Sequence, residues 1–224
     1  MCVQAFSFFI PYTMATLLLP SAYLAPVSFY ALIAACDTVR VEQCDHYVKQ
    51  TYRNRCVIAA ESGPLSLTVP TEKSITPKCC MSEVRISDHG NWRHLHWNAI
   101  ESAYKNSPFY DYYQDDFLPF YRENFPTLLD YNQQLCLLVC DLIGLHPSFS
   151  FTPEYNSTAA GDVTDCRTWI EPGCMEWRER VKVVPYYQVF ASRMGFQENM
   201  SILDLLFNMG PESILVLQQM NERL

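Results

Sequence analysis

The pattern of apolar and polar positions first becomes regular at residues 15–22, ATLLLPSA, an unbroken apolar run that reads as a buried strand. Ala25 to Cys36 then repeats its apolar positions at helical spacing and hands over to TVRVEQ, residues 38–43, a second strand. Strand, helix and strand in that order predict parallel pairing through a crossover. RCVIAAESGPLSLTVP, residues 55–70, alternates on either side of Ser62, Gly63 and Pro64 and so reads as a hairpin. VRIS, residues 84–87, is a further short strand.

A long helix is predicted from Asn91 to Ser107, with Asn91 as N-cap after the loop SDHG. Trp92, His96, Ile100 and Tyr104 recur at every fourth position and, with Leu95, Ala99 and Ala103, form one face. Arg93, Asn98, Glu101 and Lys105 supply much of the other. Pro108 ends this helix; Tyr110 to Glu123 and Thr127 to Leu142 read as two more, the second stopped by Gly144 and Pro147. FSFT (149–152) and VKVVPYY (181–187) read as late strands separated by an irregular stretch rich in Gly, Thr and Asp. Residues 201–220 predict a helix, a break at Gly210-Pro211 and a second helix. The expected fold is therefore α/β: a single domain whose mixed sheet has a β-α-β start, with a β-hairpin and several packing helices.

Composition narrows the function classes. Among 224 residues 49% are apolar and 18% charged, enough for one substantial core. A net charge of -8 with 16 basic residues argues against general affinity for nucleic acid or an anionic membrane, both of which need clustered cations. A phosphate-bearing small molecule needs only a few placed cations. The ten cysteines form no CxxC pair, which leaves a zinc site unsupported, and several lie in apolar runs such as LCLLVC (135–140). The expectation is a reduced, cytoplasmic chain with no metal and no cofactor. The apolar N-terminus lacks a basic n-region, and Pro11, Pro20 and Pro26 cut it into pieces too short to cross a bilayer. Residues 1–13 read as an appended leader and 14–224 as the domain, without membrane insertion. Neither GxGxxG, Walker A, GxSxG, HExxH nor a kinase signature occurs, so P-loop hydrolysis, serine hydrolysis and zincin chemistry lack support.

Several residues are candidates for chemistry. His96 lies in the helix stripe, where an imidazole serves as acid, base or ligand, or else as a core histidine bonded to a backbone carbonyl. His94 points to another face. His46, Tyr47 and Lys49 follow the second strand, at the end where an open parallel sheet receives ligands, and Arg53, Asn54 and Arg55 come next. These side chains suit a phosphate or carboxylate, or alternatively ion pairs with Glu42 and Asp45. Asn199, Ser201 and Asp204 open the C-terminal helix as caps or as a pocket wall. Tyr23, Tyr30, Tyr186 and Tyr187 offer rings for stacking on a sugar or base, or for packing.

Four segments in order resemble the WbqC-like family of bacterial surface-polysaccharide gene clusters. They are LPSAYLAPVSFYALIAACDTVRVEQCDHYVKQTYRNR (19–55), LTVPTEK (67–73), NWRHLHWNAIESAYKNSPFY (91–110) and NMSILDLLFNMG (199–210). Two departures stand out. Where longer family members carry a glycine-rich segment, this chain has GDVTDCRTWIEPGCMEW (161–177), and the acidic pair after the second strand is Glu42-Gln43.

The resemblance implies a protein of surface-polysaccharide (lipopolysaccharide, O-antigen) biosynthesis that modifies an activated amino sugar. The implied reaction is aminoacyl transfer, glycyl included. His96 would take a proton from the sugar amine, with Asp204 as the second catalytic candidate. Arg53 and Arg55 would hold a phosphate, while Tyr23, His46, Tyr47, Lys49, Asn54, Trp92, Tyr104, Asn199 and Ser201 line the substrate. This mechanism requires positions 53, 55 and 96 to share a solvent-reachable hollow. The alternative is a non-catalytic binding or accessory protein for the same sugar nucleotide, and a purely structural subunit would instead hold Arg53 and Arg55 in internal ion pairs.

Overall fold

The computed structural model describes residues 16–73, 79–159 and 161–221; the leader expected at residues 1–13 lies outside them. β1 (Thr16–Pro20) is buried along almost its whole length, because it sits inside a four-stranded parallel sheet in the order β5, β2, β1, β6. β2 (Thr38–Glu42) runs beside it in a register that sets Thr16 opposite Thr38 and Pro20 opposite Glu42. β5 (Ser148–Phe151) and β6 (Val163–Asp165) complete the two edges. Removing Leu17, Leu18 and Leu19 from water contributes about 1.5–3 kcal/mol each.

β3 (Arg55–Ala60) and β4 (Gly63–Thr68) form the expected hairpin as a separate antiparallel sheet. The parallel and antiparallel parts of the fold are thus two sheets within one α/β domain.

α1 (Val27–Ala34) joins β1 to β2 and is buried on seven of its eight residues, because α8 (Ser213–Met220) covers its outer side. α2 (Trp92–Tyr104) packs against β3, followed by α3 (Tyr110–Phe117) and α4 (Leu128–Leu142). Two single-turn helices, α5 (Trp177–Arg180) and α6 (Ala191–Met194), precede α7 (Ile202–Met209). The predicted break between α7 and α8 is present. Gly210 takes φ +53, and a Cβ there would lie 2.5 Å from the Phe109 ring, so the turn admits no side chain.

Several local expectations are corrected. VRIS makes only a single bridge, Thr71 to Ile86, since its partner segment is too short for a ladder. Residues 181–187 do not pair as a strand: Lys182 N–H instead bonds the Met220 carbonyl at the end of α8. β6 falls inside the stretch read as irregular. Asn91 precedes α2 in the left-handed region at φ +49 and its side chain caps nothing. Leu95 is 60% exposed, because it lies off the Trp92–His96–Ile100 line. A 3-10 turn over Leu118–Tyr121, containing Pro119, interrupts the helix expected to reach Glu123. No described helix is long and apolar enough to cross a membrane.

Candidate functional site

Each strand of the parallel sheet ends in polar residues at the same edge. β2 ends in Glu42, which is 1% exposed; Thr152 follows β5, Ser21 follows β1, and β6 ends in Asp165 with Arg167 two residues on. Arg167 grips Asp165 with two donors, Nε to Oδ1 at 3.0 Å and Nη2 to Oδ2 at 2.6 Å, and gives Nη1 to Glu42 Oε2 at 3.0 Å. The other Glu42 oxygen accepts from the Cys44 N–H at 2.9 Å and the Thr152 hydroxyl at 2.7 Å. Burial alone would raise the Asp165 carboxyl, but the Arg167 guanidinium holds it below its ordinary value.

Next to this pair, Arg53 donates to Asp45, with Glu171 4.0 Å from its other side. Burial raises the Asp45 carboxyl despite the pull of Arg53. Asn132 of α4 ties the edge to the helical layer, donating to Ser21 Oγ at 2.9 Å and to the Arg53 carbonyl at 2.8 Å. Asp45 Oδ1, Arg53 Nε and the side-chain oxygens of Asn54 and Asn132 are buried without hydrogen-bond partners among the described residues. These atoms are free to form hydrogen bonds with water or with a ligand. His46 and Lys49 stand exposed just outside, while the half-buried Tyr47 hydroxyl accepts from Thr71 at 3.5 Å.

His96 occupies a different environment. Its Nδ1 lies 3.1 Å from the Tyr23 hydroxyl, which is 2.8 Å from the Tyr121 hydroxyl. Trp92 meets the imidazole edge-on and Tyr131 stacks on Tyr23. The ring is 6% exposed, and burial lowers its pKa to about 4, with the Thr68 backbone pulling weakly the other way. Beside this nest, a cavity of about 480 Å³ opens between the start of α2 and the α3 end, with Arg93, Trp97, Tyr121 and Arg122 in its wall.

A third polar cluster surrounds Asp204 on α7, which is 1% exposed. Its Oδ2 accepts from the Tyr186 hydroxyl at 2.7 Å and from Gln188 Nε2 at 2.6 Å. All these donors are neutral. Burial therefore pushes the carboxyl up to about 6, with Tyr186, Gln188 and Tyr104 offsetting part of the shift. Tyr104 itself accepts the Ala59 N–H at 3.2 Å. Ser201 caps α7, accepting the Leu203 N–H at 3.4 Å, and donates to the Leu24 carbonyl at 2.8 Å. Asn199 reaches across to accept the Ser28 N–H at 3.0 Å, in the first turn of α1.

The model of the WbqC-like protein family matches residues 21–172, the stretch that contains the sheet edge, the His96 nest and the cavity wall. This chain belongs to the WbqC-like protein family. The WbqC-like chain is also 25% identical over 218 residues to the Mycobacterium tuberculosis (strain ATCC 25618 / H37Rv) protein "Uncharacterized protein Rv1507c", covering 86% of this chain and 93% of that one. No solved structure matches it.

The residues singled out from the WbqC-like sequence divide among these environments. Arg53, Asn54, His46, Tyr47 and Lys49 gather at the sheet edge; Tyr23, Trp92 and His96 form the aromatic nest; Tyr104 and Asp204 share the third cluster. Asn199 and Ser201 hold helix starts. The hollow that positions 53, 55 and 96 were expected to share does not form. Tyr23 and Trp92 cover the His96 ring, Arg53 is buried against Asp45, and Arg55 bonds Thr68 Oγ1 at 3.2 Å on the half-exposed hairpin; none lines the cavity beside α2. Tyr30 packs edge-on against Phe29, and Tyr187 is exposed.

Asp165, Arg167, Glu171 and Thr152 were not foreseen as site residues. A signal for them existed in the charged residues that terminate strands, Glu42 and Asp165, since charge at a strand's carboxyl end points to the ligand edge of a parallel sheet.

Proposed function

We propose that this chain binds an activated amino sugar at the carboxyl edge of its parallel sheet and transfers an aminoacyl group, glycyl included, to the sugar amine. The observation that carries the reading is the charge pattern there. Glu42, Asp45, Asp165 and Glu171 outnumber Arg53 and Arg167, and Asp45 Oδ1 has no partner, so the inner edge suits an ammonium or amine. The exposed Lys49 ammonium and the His46 ring, just outside the edge, are the side chains that would meet the phosphate of the same ligand.

In the transfer, the amine nitrogen attacks the carbonyl carbon of an activated aminoacyl donor. The new N–C bond forms as the bond to the leaving group breaks, and the proton released from nitrogen passes to a carboxylate. Asp45, raised by burial and with Oδ1 unpartnered, is the acceptor in this reading; burial lowers the His96 pKa to about 4, which makes the imidazole a weak base. The surface-polysaccharide setting and a cytoplasmic location belong to the same proposal and rest on the family.

Calorimetric titration tests the reading by comparing a uridine-diphosphate sugar bearing a free amine with its hydroxyl counterpart. The amine form should bind at least about tenfold tighter, the factor that about 1.4 kcal/mol supplies. Asp45→Asn should erase the difference. Equal binding of both sugars, or none, sinks it.

A non-catalytic binder is the second reading. It is favoured by the closure of the edge, where Arg167 is itself buried across Glu42. Binding of the amino sugar without a mass gain, when an activated glycyl donor is added, selects this reading.

A further inference from the structure

The cavity beside α2 is distinct in chemistry from the sheet edge. Its wall combines two guanidinium groups, Arg93 and Arg122, with the rings of Trp92, Trp97 and Tyr121; among the described residues Asp88 is the sole carboxylate in the wall. Asp88 is already engaged: Arg93 Nη1 donates to it at 2.6 Å while the guanidinium lies 4.7 Å over the Trp92 ring. That stacking fixes the Arg93 plane at low entropic cost. Donor capacity remains on both arginines. Arg93 Nε is buried with no hydrogen-bond partner, and the exposed Arg122 makes no side-chain hydrogen bond or ion pair among the described residues.

The aromatic part of the wall is equally ordered. Trp97 and Tyr121 lie 5.5 Å apart at 43°, and the Tyr121 hydroxyl is anchored from behind by Tyr23 at 2.8 Å. An anion is favoured by the uncompensated Arg122, in a protein whose net charge is -8. A flat ring is favoured by the paired aromatic faces. About 480 Å³ is in the range that holds one small-molecule ligand.

We propose that this cavity is a second binding site, for a nucleoside phosphate, with the base against Trp97 and Tyr121 and the phosphate between Arg93 and Arg122. The site stands independently of the amino-sugar reading. Ser21 and Asn132 face the sheet-edge network, whereas Tyr23 and Tyr131, which lie beside them in sequence, stack in the layer behind the cavity. The cavity and the sheet edge share no lining residue.

Intrinsic fluorescence reports on the cavity directly, because Trp92 and Trp97 line it. The full chain is titrated with uridine monophosphate, uridine, glucose 1-phosphate and inorganic phosphate. Uridine monophosphate should quench saturably and bind at least about tenfold tighter than any of the other three, as expected when stacking and a charge-assisted contact act together. Arg122→Gln, an exposed change that leaves folding intact, should weaken it about tenfold and reduce its salt dependence. Trp97→Leu should remove the preference over inorganic phosphate. Absence of saturable binding, binding unaltered by Arg122→Gln, or glucose 1-phosphate binding as tightly as the nucleotide would each overturn the proposal. None of these outcomes depends on whether an amino sugar binds at the sheet edge.

Discussion

At the sheet edge Asp165 is clasped by the Arg167 guanidinium, whereas Asp204 on α7 meets neutral donors, the Tyr186 hydroxyl and the side-chain amides of Gln188 and Asn208. Burial works to raise both carboxyls. Arg167 reverses the effect and brings Asp165 below its ordinary value, while neutral donors leave Asp204 at about 6. Partner charge and depth of burial set the balance together: Arg167 prevails at half-buried Asp165, whereas the more deeply buried Asp45 is raised even beside Arg53. The same contrast extends to His96, whose hydroxyl and backbone partners leave burial free to lower its pKa to about 4. At the edge the Asp165–Arg167 pair is held charged, whereas burial favours the neutral forms of Asp45, Asp204 and His96.

The largest expected effect comes from stripping the edge of its cation. Arg167→Leu leaves Glu42, 1% exposed, without a guanidinium, and unmatched buried charge of this kind costs about 3–5 kcal/mol. Chemical denaturation at neutral pH should register that loss, and adding Glu42→Gln should restore much of it. A loss below about 1 kcal/mol would mean that the edge relaxes or admits water, and the contrast with Asp204 would fail.

The neutral clusters should act next, through pH. Asp204 is raised from 3.8 to about 6, so the folded state holds its proton more tightly than the unfolded state does. Its contribution is complete below 3.8 and is lost as pH rises through about 6. His96 is lowered from 6.5 to about 4; its contribution is complete above 6.5 and is lost as pH falls through about 4. Each amounts to about 3 kcal/mol, and between pH 4 and 6 the two oppose one another. Asp204→Asn should therefore steepen the loss of stability on acidification, and His96→Gln should flatten or invert it. Denaturation curves at several pH values between 4 and 7 check the pair; parallel curves for both variants and the parent would refute the assignments.

Much of the frame was legible because periodicity is local. The β-α-β start, the hairpin, the helix from Thr127 to Leu142 and the Gly210 break all follow from patterns within a few residues. β6 was illegible because a strand of three residues has no period and exists through its pairing with β1. Residues 181–187 have the alternation of a strand, yet their backbone is met by the end of α8.

Of the candidate site, the carboxyl-end rule selects the stretch that holds Arg53 and its neighbours. The partners that complete it were not legible. Arg167 reaches Glu42 across 125 positions of sequence, and nothing local encodes that contact. Likewise, the four-residue stripe that placed His96 on the inner face of α2 says nothing of the tyrosines that enclose it.

A smaller effect should come from the α1–α7 junction, where Ser201 satisfies the Leu203 N–H and the Leu24 carbonyl without any charge. Ser201→Ala removes one cap and leaves the carbonyl unmet, a loss of about 1–2 kcal/mol by thermal unfolding. Unlike Asp204→Asn, it should leave the slope of stability against pH unchanged, because no titrating group is altered.

The smallest effect separates the two arginines of the Arg53-Asn54-Arg55 run. Arg53 is buried in the charge array, but Arg55 begins β3 on the half-exposed hairpin and its side chain donates only to Thr68 Oγ1. An exposed hydrogen bond of that kind competes with water on equal terms, so Arg55→Gln should change stability by less than about 0.5 kcal/mol. Arg53→Gln should cost several times more, because it leaves Asp45 buried beside Glu42 with less positive charge to offset either. Comparable losses for the two variants in urea would show that the array extends out along the hairpin, and would move the boundary between fixed charge and solvent to Thr68.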